Sequence, residues 1–228
     1  MPAESGVWAV VVAAGRGERL GSPYPKAFAK LRGRPLLAES LERLDGSDWI
    51  EGIVVAAPPE WEEPVILLAE ELGAGKVTAA VTGGETRAES VRAGLADVPA
   101  DAAAALVHDA ARPVVPEEMI GRVLAPLGEG WDGAVPALPV GDTLKRARPD
   151  GGVAETVDRA GLYAVQTPQA FVSETLRQAL SGPGDATDCA GFVEAAGGRV
   201  RLVEGDPRLL KVTTPADLAV AEALLAKA

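Results

Sequence analysis

The chain of 228 residues has one cysteine, Cys189, and one histidine, His108. A lone cysteine excludes an intrachain disulfide, and the pair cannot supply a histidine or cysteine metal cluster. That scarcity suits a reduced, cytoplasmic protein. Positive charge is also short: 22 Lys and Arg stand against 33 Asp and Glu, a net charge of −11. A surface of that sign repels a nucleic-acid backbone, so nonspecific nucleic-acid binding is not expected. The apolar run Val7–Ala14 is far too short to span a bilayer and lacks a basic lead-in, so no membrane association or export leader is expected. There is no internal repeat and no long linker. The length suits one domain, 1–228, able to bury a substantial core.

What the chain does contain is concentrated in Val10–Lys26. An apolar run suited to a buried parallel strand ends in Ala13 and Ala14, followed by Gly15 and Gly17, with Arg16, Arg19 and Lys26 close behind. The glycines let a ligand approach backbone N–H groups and the cations supply charge, which outlines a polyphosphate site. The dinucleotide fingerprint fails, since Leu20 stands where its third glycine belongs, and no Gly-Lys-Ser/Thr triplet makes a P-loop. Spacing alone leaves two readings open: a phosphate site, or a tight strand exit with solvated charges.

Downstream, strands and helices alternate. Strands are expected at 52–57, 77–81, 103–107, 133–140 and 200–203, the 133–140 segment at an edge or irregular because of its prolines. Helices are expected over 35–44, 60–72, from the glycine pair at 83–84 into Val91, Leu95 and Val98, from Pro116, after a Ser173 cap, over 188–196, and after a Thr214 cap answered by Asp217. Two short segments, 143–147 and 153–157, flank a turn at 149–152; with few core residues they read as a hairpin arm at about 142–164. The pattern is that of an α/β sandwich with a mostly parallel sheet, in which ligands lie beyond the carboxyl ends of strands. Gly15, Gly84 and Asp109 are therefore expected to converge there.

Four segments together, Ala13–Leu20 with Pro25-Lys26, Gly84–Val91, Val107–Pro113 and Lys211–Leu218, resemble the 2-C-methyl-D-erythritol 4-phosphate cytidylyltransferase family over nearly the whole chain. Thr156–Arg159 and Thr167–Gln169 sharpen the likeness. The resemblance implies a three-layer α/β/α nucleotidyltransferase (Rossmann-like) fold with a protruding arm. It also implies transfer of CMP from CTP to methylerythritol phosphate, with Mg²⁺, in a homodimer. Arg19 and Lys26 match the family's transition-state stabilisers. Ala13, Ala14 and Gly15 would hold the nucleotide, Gly84, Glu85 and Ser90 would surround the cytosine, and Asp109 and Ala110 would sit near the ribose. Asp109 is also the candidate metal ligand. Arg112, Thr143, Arg159, Thr167 and Lys211 match the acceptor set; Arg159 and Lys211 would aim the attacking phosphate, with Thr143 and Arg159 reaching a partner's site. A phosphate monoester with second pKa about 6 already carries its nucleophilic oxygen, so no general base is needed and His108 is read as structural.

Three positions depart from the family pattern: Ala27 where glutamine is usual, Cys189 where an acid is usual, and Glu85 where a shorter residue is expected. Two competing functions remain: a cytidylyltransferase for another polyol phosphate such as ribitol 5-phosphate, and a nucleotide-binding regulator without catalysis. The second would have no use for both Arg159 and Lys211.

Overall fold

A computed structural model describes residues 6–182 and 186–226. The first half runs β1 (Val7–Val12), a short pair β2 (Lys30–Leu31) and β3 (Arg34–Pro35), α1 (Leu36–Asp45), β4 (Ile50–Ala57), α2 (Glu62–Leu72), β5 (Val77–Thr82), α3 (Arg87–Ala96) and β6 (Ala104–Asp109). The second half runs α4 (Glu117–Gly128), β7 (Gly133–Pro139), β8 (Leu144–Ala147), β9 (Val153–Val157), β10 (Tyr163–Val165), β11 (Gln169–Val172), α5 (Ser173–Ser181), α6 (Cys189–Ala195), β12 (Val200–Glu204) and α7 (Pro215–Leu225).

The main sheet is ordered β10-β7-β11-β6-β1-β4-β5, with β12 pairing β7. β1 lies between β4 and β6, parallel to both. Buried on both faces, it reads as an uninterrupted apolar run because successive side chains enter different cores. Ala9 and Val11 join the core formed with Leu41 of α1, Val65 of α2 and Ile120 of α4. Val10 joins Val91 of α3, Leu176 of α5 and Phe192 of α6 on the other side. Two cores on opposite faces of one mostly parallel sheet make the three-layer α/β/α fold.

A third, smaller cluster lies off the sheet. Leu20, Leu31, Leu36, Val114, Val212, Ala221 and Leu225 pack together, joining the strand-exit segment to α7. Arg32 reinforces the joint: its Nη1 donates to the Leu225 carbonyl at 3.2 Å.

Two local expectations fail. The strand 133–140 is not at an edge: β7 has β12 parallel to it and β10 and β11 antiparallel. Pro136 stands opposite Val203 within the β12 ladder and Pro139 opposite Tyr163 in the β10 ladder, and the Pro136 carbonyl accepts from the Gln166 N–H at 2.7 Å. Ser173 does not cap α5. It is the first helical residue, Val172 occupies the cap position, and the Ser173 hydroxyl is buried without a partner. The Thr214–Asp217 capping box of α7 forms as expected. So does the hairpin, β8 with β9, whose residues are mostly exposed.

Candidate active site

Three strand exits build the site. After β1 the chain turns through Gly15 and Gly17; Gly17 has φ +73, and a Cβ there would lie 2.7 Å from Lys26 Cβ. That close approach sets the Lys26 stem against the turn, and the Lys26 N–H donates to the Gly15 carbonyl at 3.2 Å. After β5 comes Gly83, where a Cβ would meet Ala14 Cβ at 2.5 Å, so the two loops can touch only without a side chain. β6 ends in Asp109, 6 % exposed.

Between these exits lies a pocket lined by Ala13, Ala14, Gly15, Gly84, Glu85, Ser90, Asp109 and Ala110, with Lys26, Arg87 and Lys211 as its cations. The whole nucleotide set inferred from sequence is thus brought together. Ser90 contributes structure first, donating to the Thr86 carbonyl at 3.0 Å. A second pocket holds Arg112 and Thr167, with Tyr163, Gln166, Gln169, Thr187 and Asp188. Arg87, Asp109 and Lys211 border both pockets and form a common wall.

That wall is a chain of charges. Arg87 Nε donates to Asp109 Oδ1 at 2.9 Å and Lys211 Nζ to Asp109 Oδ2 at 2.7 Å. Burial raises the cost of the Asp109 charge, but the two cations outweigh it and hold the carboxyl well below its usual range. Behind it, the buried His108 braces the second pocket through Arg112 and Thr167. The Arg112 carbonyl can only accept, so Nε2 carries the proton donated to it at 3.1 Å. Nδ1 then accepts from the Thr167 hydroxyl at 3.2 Å, and that hydroxyl oxygen accepts from the Asp109 N–H at 3.1 Å. Burial pushes His108 down to about 4, so it stays neutral and structural at pH 7, as expected. Arg112 is anchored through Nη1 to the Leu209 carbonyl.

Lys26 carries its charge in an unfavourable setting. Burial, then Lys211 and Arg19, bring it down to about 8 against the pull of Asp109. Its ammonium therefore loses its proton in the free protein as pH rises through about 8, and regains stability when phosphate enters. The expected result is a kcat/KM for the nucleotide that falls above about pH 8 while kcat does not, and a Lys26→Arg protein without that fall. Profiles that superimpose would remove Lys26 from nucleotide capture.

Arg19, on an exposed turn at Glu18–Leu20, borders neither pocket but stands close enough to act on Lys26. Thr143 and Arg159 are not brought in. Both are exposed on the arm, and Arg159 Nη1 donates to the Val140 carbonyl at 3.4 Å, its one side-chain hydrogen bond among the described residues. Of the departures, Ala27 is buried against the nucleotide pocket, Glu85 is exposed, and Cys189 is buried, its thiol pushed up by desolvation and its Sγ 3.4 Å from Arg87 Nη1. Sequence reasoning passed over Arg87, Gln169 and Asp188. A signal for the first was present in Thr86-Arg-Ala-Glu89, a capping box that makes Arg87 the first residue of α3.

Loops from parallel strands that set two cation-bearing pockets on either side of one charged wall are the arrangement of a nucleotidyltransferase. Such an enzyme brings a nucleoside triphosphate against a phosphorylated acceptor and needs no nucleophile of its own. Residues 7–227 match the family described as IspD, 2-C-methyl-D-erythritol 4-phosphate cytidylyltransferase, and the chain belongs to that family. Proteins of that name from Nocardia farcinica and Saccharopolyspora erythraea are each 46% identical to it, over 97% of this chain and 95% of the relative, and over 96% and 99%, respectively. The crystal structure of the protein so named from Thermus thermophilus superposes with TM-score 0.77 at 35% identity, covering 95% of this chain and 98% of that one.

Proposed function

We propose that the enzyme transfers CMP from CTP to 2-C-methyl-D-erythritol 4-phosphate, a step of non-mevalonate isoprenoid biosynthesis. An oxygen of the acceptor phosphate bonds to the α-phosphorus as the bond to the β-phosphate oxygen breaks, giving 4-diphosphocytidyl-2-C-methyl-D-erythritol and pyrophosphate. The observation that carries this reading is the shared Arg87–Asp109–Lys211 wall, which places a nucleotide pocket and an acceptor pocket edge to edge. Lys26 lines the triphosphate side, where charge develops, and Arg19, outside both pockets, adds its charge there through its closeness to Lys26. Lys211 and Arg112 serve the acceptor side. No proton need be removed, because the acceptor's second pKa is about 6.

Two further elements belong to the proposal. Among the described residues no group of three or more His, Cys, Asp or Glu could hold a metal. Mg²⁺ would therefore be held chiefly by substrate phosphates, with Asp109 contributing an oxygen only as it gives up its pairing with Lys211. Mg²⁺ would neutralise phosphate charge there. The second element is a homodimer in which Thr143 and Arg159 of the partner subunit complete each acceptor pocket. An exposed apolar set, Val153, Leu162, Tyr163 and Val165, on and beside the arm supports it. Among the described residues no helix is long and apolar enough to cross a membrane, and the single cysteine suits the cytoplasm.

The test is pyrophosphate release with CTP, Mg²⁺ and either methylerythritol phosphate or ribitol 5-phosphate. Methylerythritol phosphate is expected to give the larger kcat/KM, and EDTA to abolish turnover until Mg²⁺ is returned. Preference for ribitol 5-phosphate would reassign the acceptor; CTP binding without product would mark a regulator.

A further inference from the structure

Arg87 has a place in the site but no role yet. Its backbone is fixed at the start of α3 by the Thr86–Glu89 capping box. Its side chain is 22 % exposed, and donates to Asp109 and to Cys189, while Nη2 is buried without a partner. Lys211 is held differently. Its side chain is 45 % exposed, and the Asp109 carboxylate is its ammonium's one contact among the described residues. A flexible lysine on a single tether points where the carboxylate points. The carboxylate, in turn, is set by Arg87 and by its own backbone, whose N–H is bonded to Thr167.

Charge balance adds a second consequence. With Arg87 paired to one oxygen, the Asp109 charge is already compensated when Lys211 takes the other. An incoming phosphate dianion can then draw the ammonium away without stranding a buried carboxylate. Without Arg87, Asp109 would compete with the acceptor phosphate for Lys211.

We propose that Arg87 is a positioning residue for the acceptor step: through Asp109 it aims Lys211 between the two pockets and leaves the ammonium releasable to the attacking phosphate. The role rests on the transfer reaction proposed above. It predicts energetic coupling, because removing Arg87 matters only while Lys211 is present to be aimed.

The experiment is a double-mutant cycle of Arg87→Gln and Lys211→Ala, read as kcat/KM for methylerythritol phosphate at saturating CTP and Mg²⁺. Arg87→Gln alone is expected to lower it about tenfold or more, mostly through KM for the acceptor, and by less than about threefold once Lys211 is alanine. Equal losses in both backgrounds, or a KM for CTP that rises as much as that for the acceptor, would overturn the role. Should circular dichroism show Arg87→Gln unfolded, Arg87→Lys enters the same cycle. It keeps the charge but not the planar fork, and a smaller loss with the same coupling is expected; additive losses overturn the role. A wild-type chain that forms no product overturns the transfer reaction itself, which separates the two failures.

Discussion

Lys26→Ala is expected to lower kcat by about a hundredfold or more, in line with the loss of about 2.7–4 kcal/mol when a preorganised donor to a developing charge is removed. Lys26 lines the nucleotide pocket from a turn whose closeness leaves its stem little freedom. Its charge already exists in an unfavourable setting, where burial and the neighbouring Lys211 and Arg19 lower its pKa. Deleting it therefore removes a destabilising charge from the free protein, and the thermal midpoint is expected to stay level or rise. Activity and stability moving in opposite directions distinguish a catalytic cation from a structural one. A variant that turns over normally, or loses activity only in step with its melting temperature, removes Lys26 from the mechanism.

Arg159→Ala is expected to be nearly as damaging, and its activity to return on mixing. Among the described residues the Arg159 side chain hydrogen-bonds only the Val140 carbonyl, and it lies at neither pocket. If it acts in the partner's site, a mixed dimer of Lys26→Ala and Arg159→Ala chains has one site carrying both lesions and one carrying neither. Half the dimers in an equal mixture are mixed, so activity recovers to about a quarter of wild type. Exchange is followed by tagging one chain. Demonstrated exchange without recovered turnover would mean that the arm serves its own subunit.

The sequence made the convergence of Gly15, Gly84 and Asp109 on one pocket legible because local rules govern it. Glycines where loops meet, an apolar run into a turn, and an acid at a strand end all declare themselves over a few residues. Arg87 was hidden for the opposite reason. Its partner is 22 positions away, and the pair meets only because the start of α3 faces the end of β6. The prolines of β7 misled in the same way: they restrict the strand's own donors, whereas its interior position is set by β11 and β12, which come later in the chain. Ser173 had a cap residue's chemistry but not its place, since the helix begins at Ser173 itself. Strand order, depending on which loops cross which face, left no local trace.

The small cluster off the main sheet sets an order of assembly. It joins Leu20, Leu31 and Leu36, from early in the chain, to Val212, Ala221 and Leu225, which the ribosome adds nearly two hundred residues later. Half of the sheet can form as the chain emerges, since β1, β4, β5 and β6 lie in its first half. Arg19 immediately precedes Leu20 and Lys211 immediately precedes Val212, so neither cation has its final support until the last helix exists. A nascent chain thus holds half of the sheet before the last helix exists, and the pocket between the strand exits is complete only when Lys211 joins it.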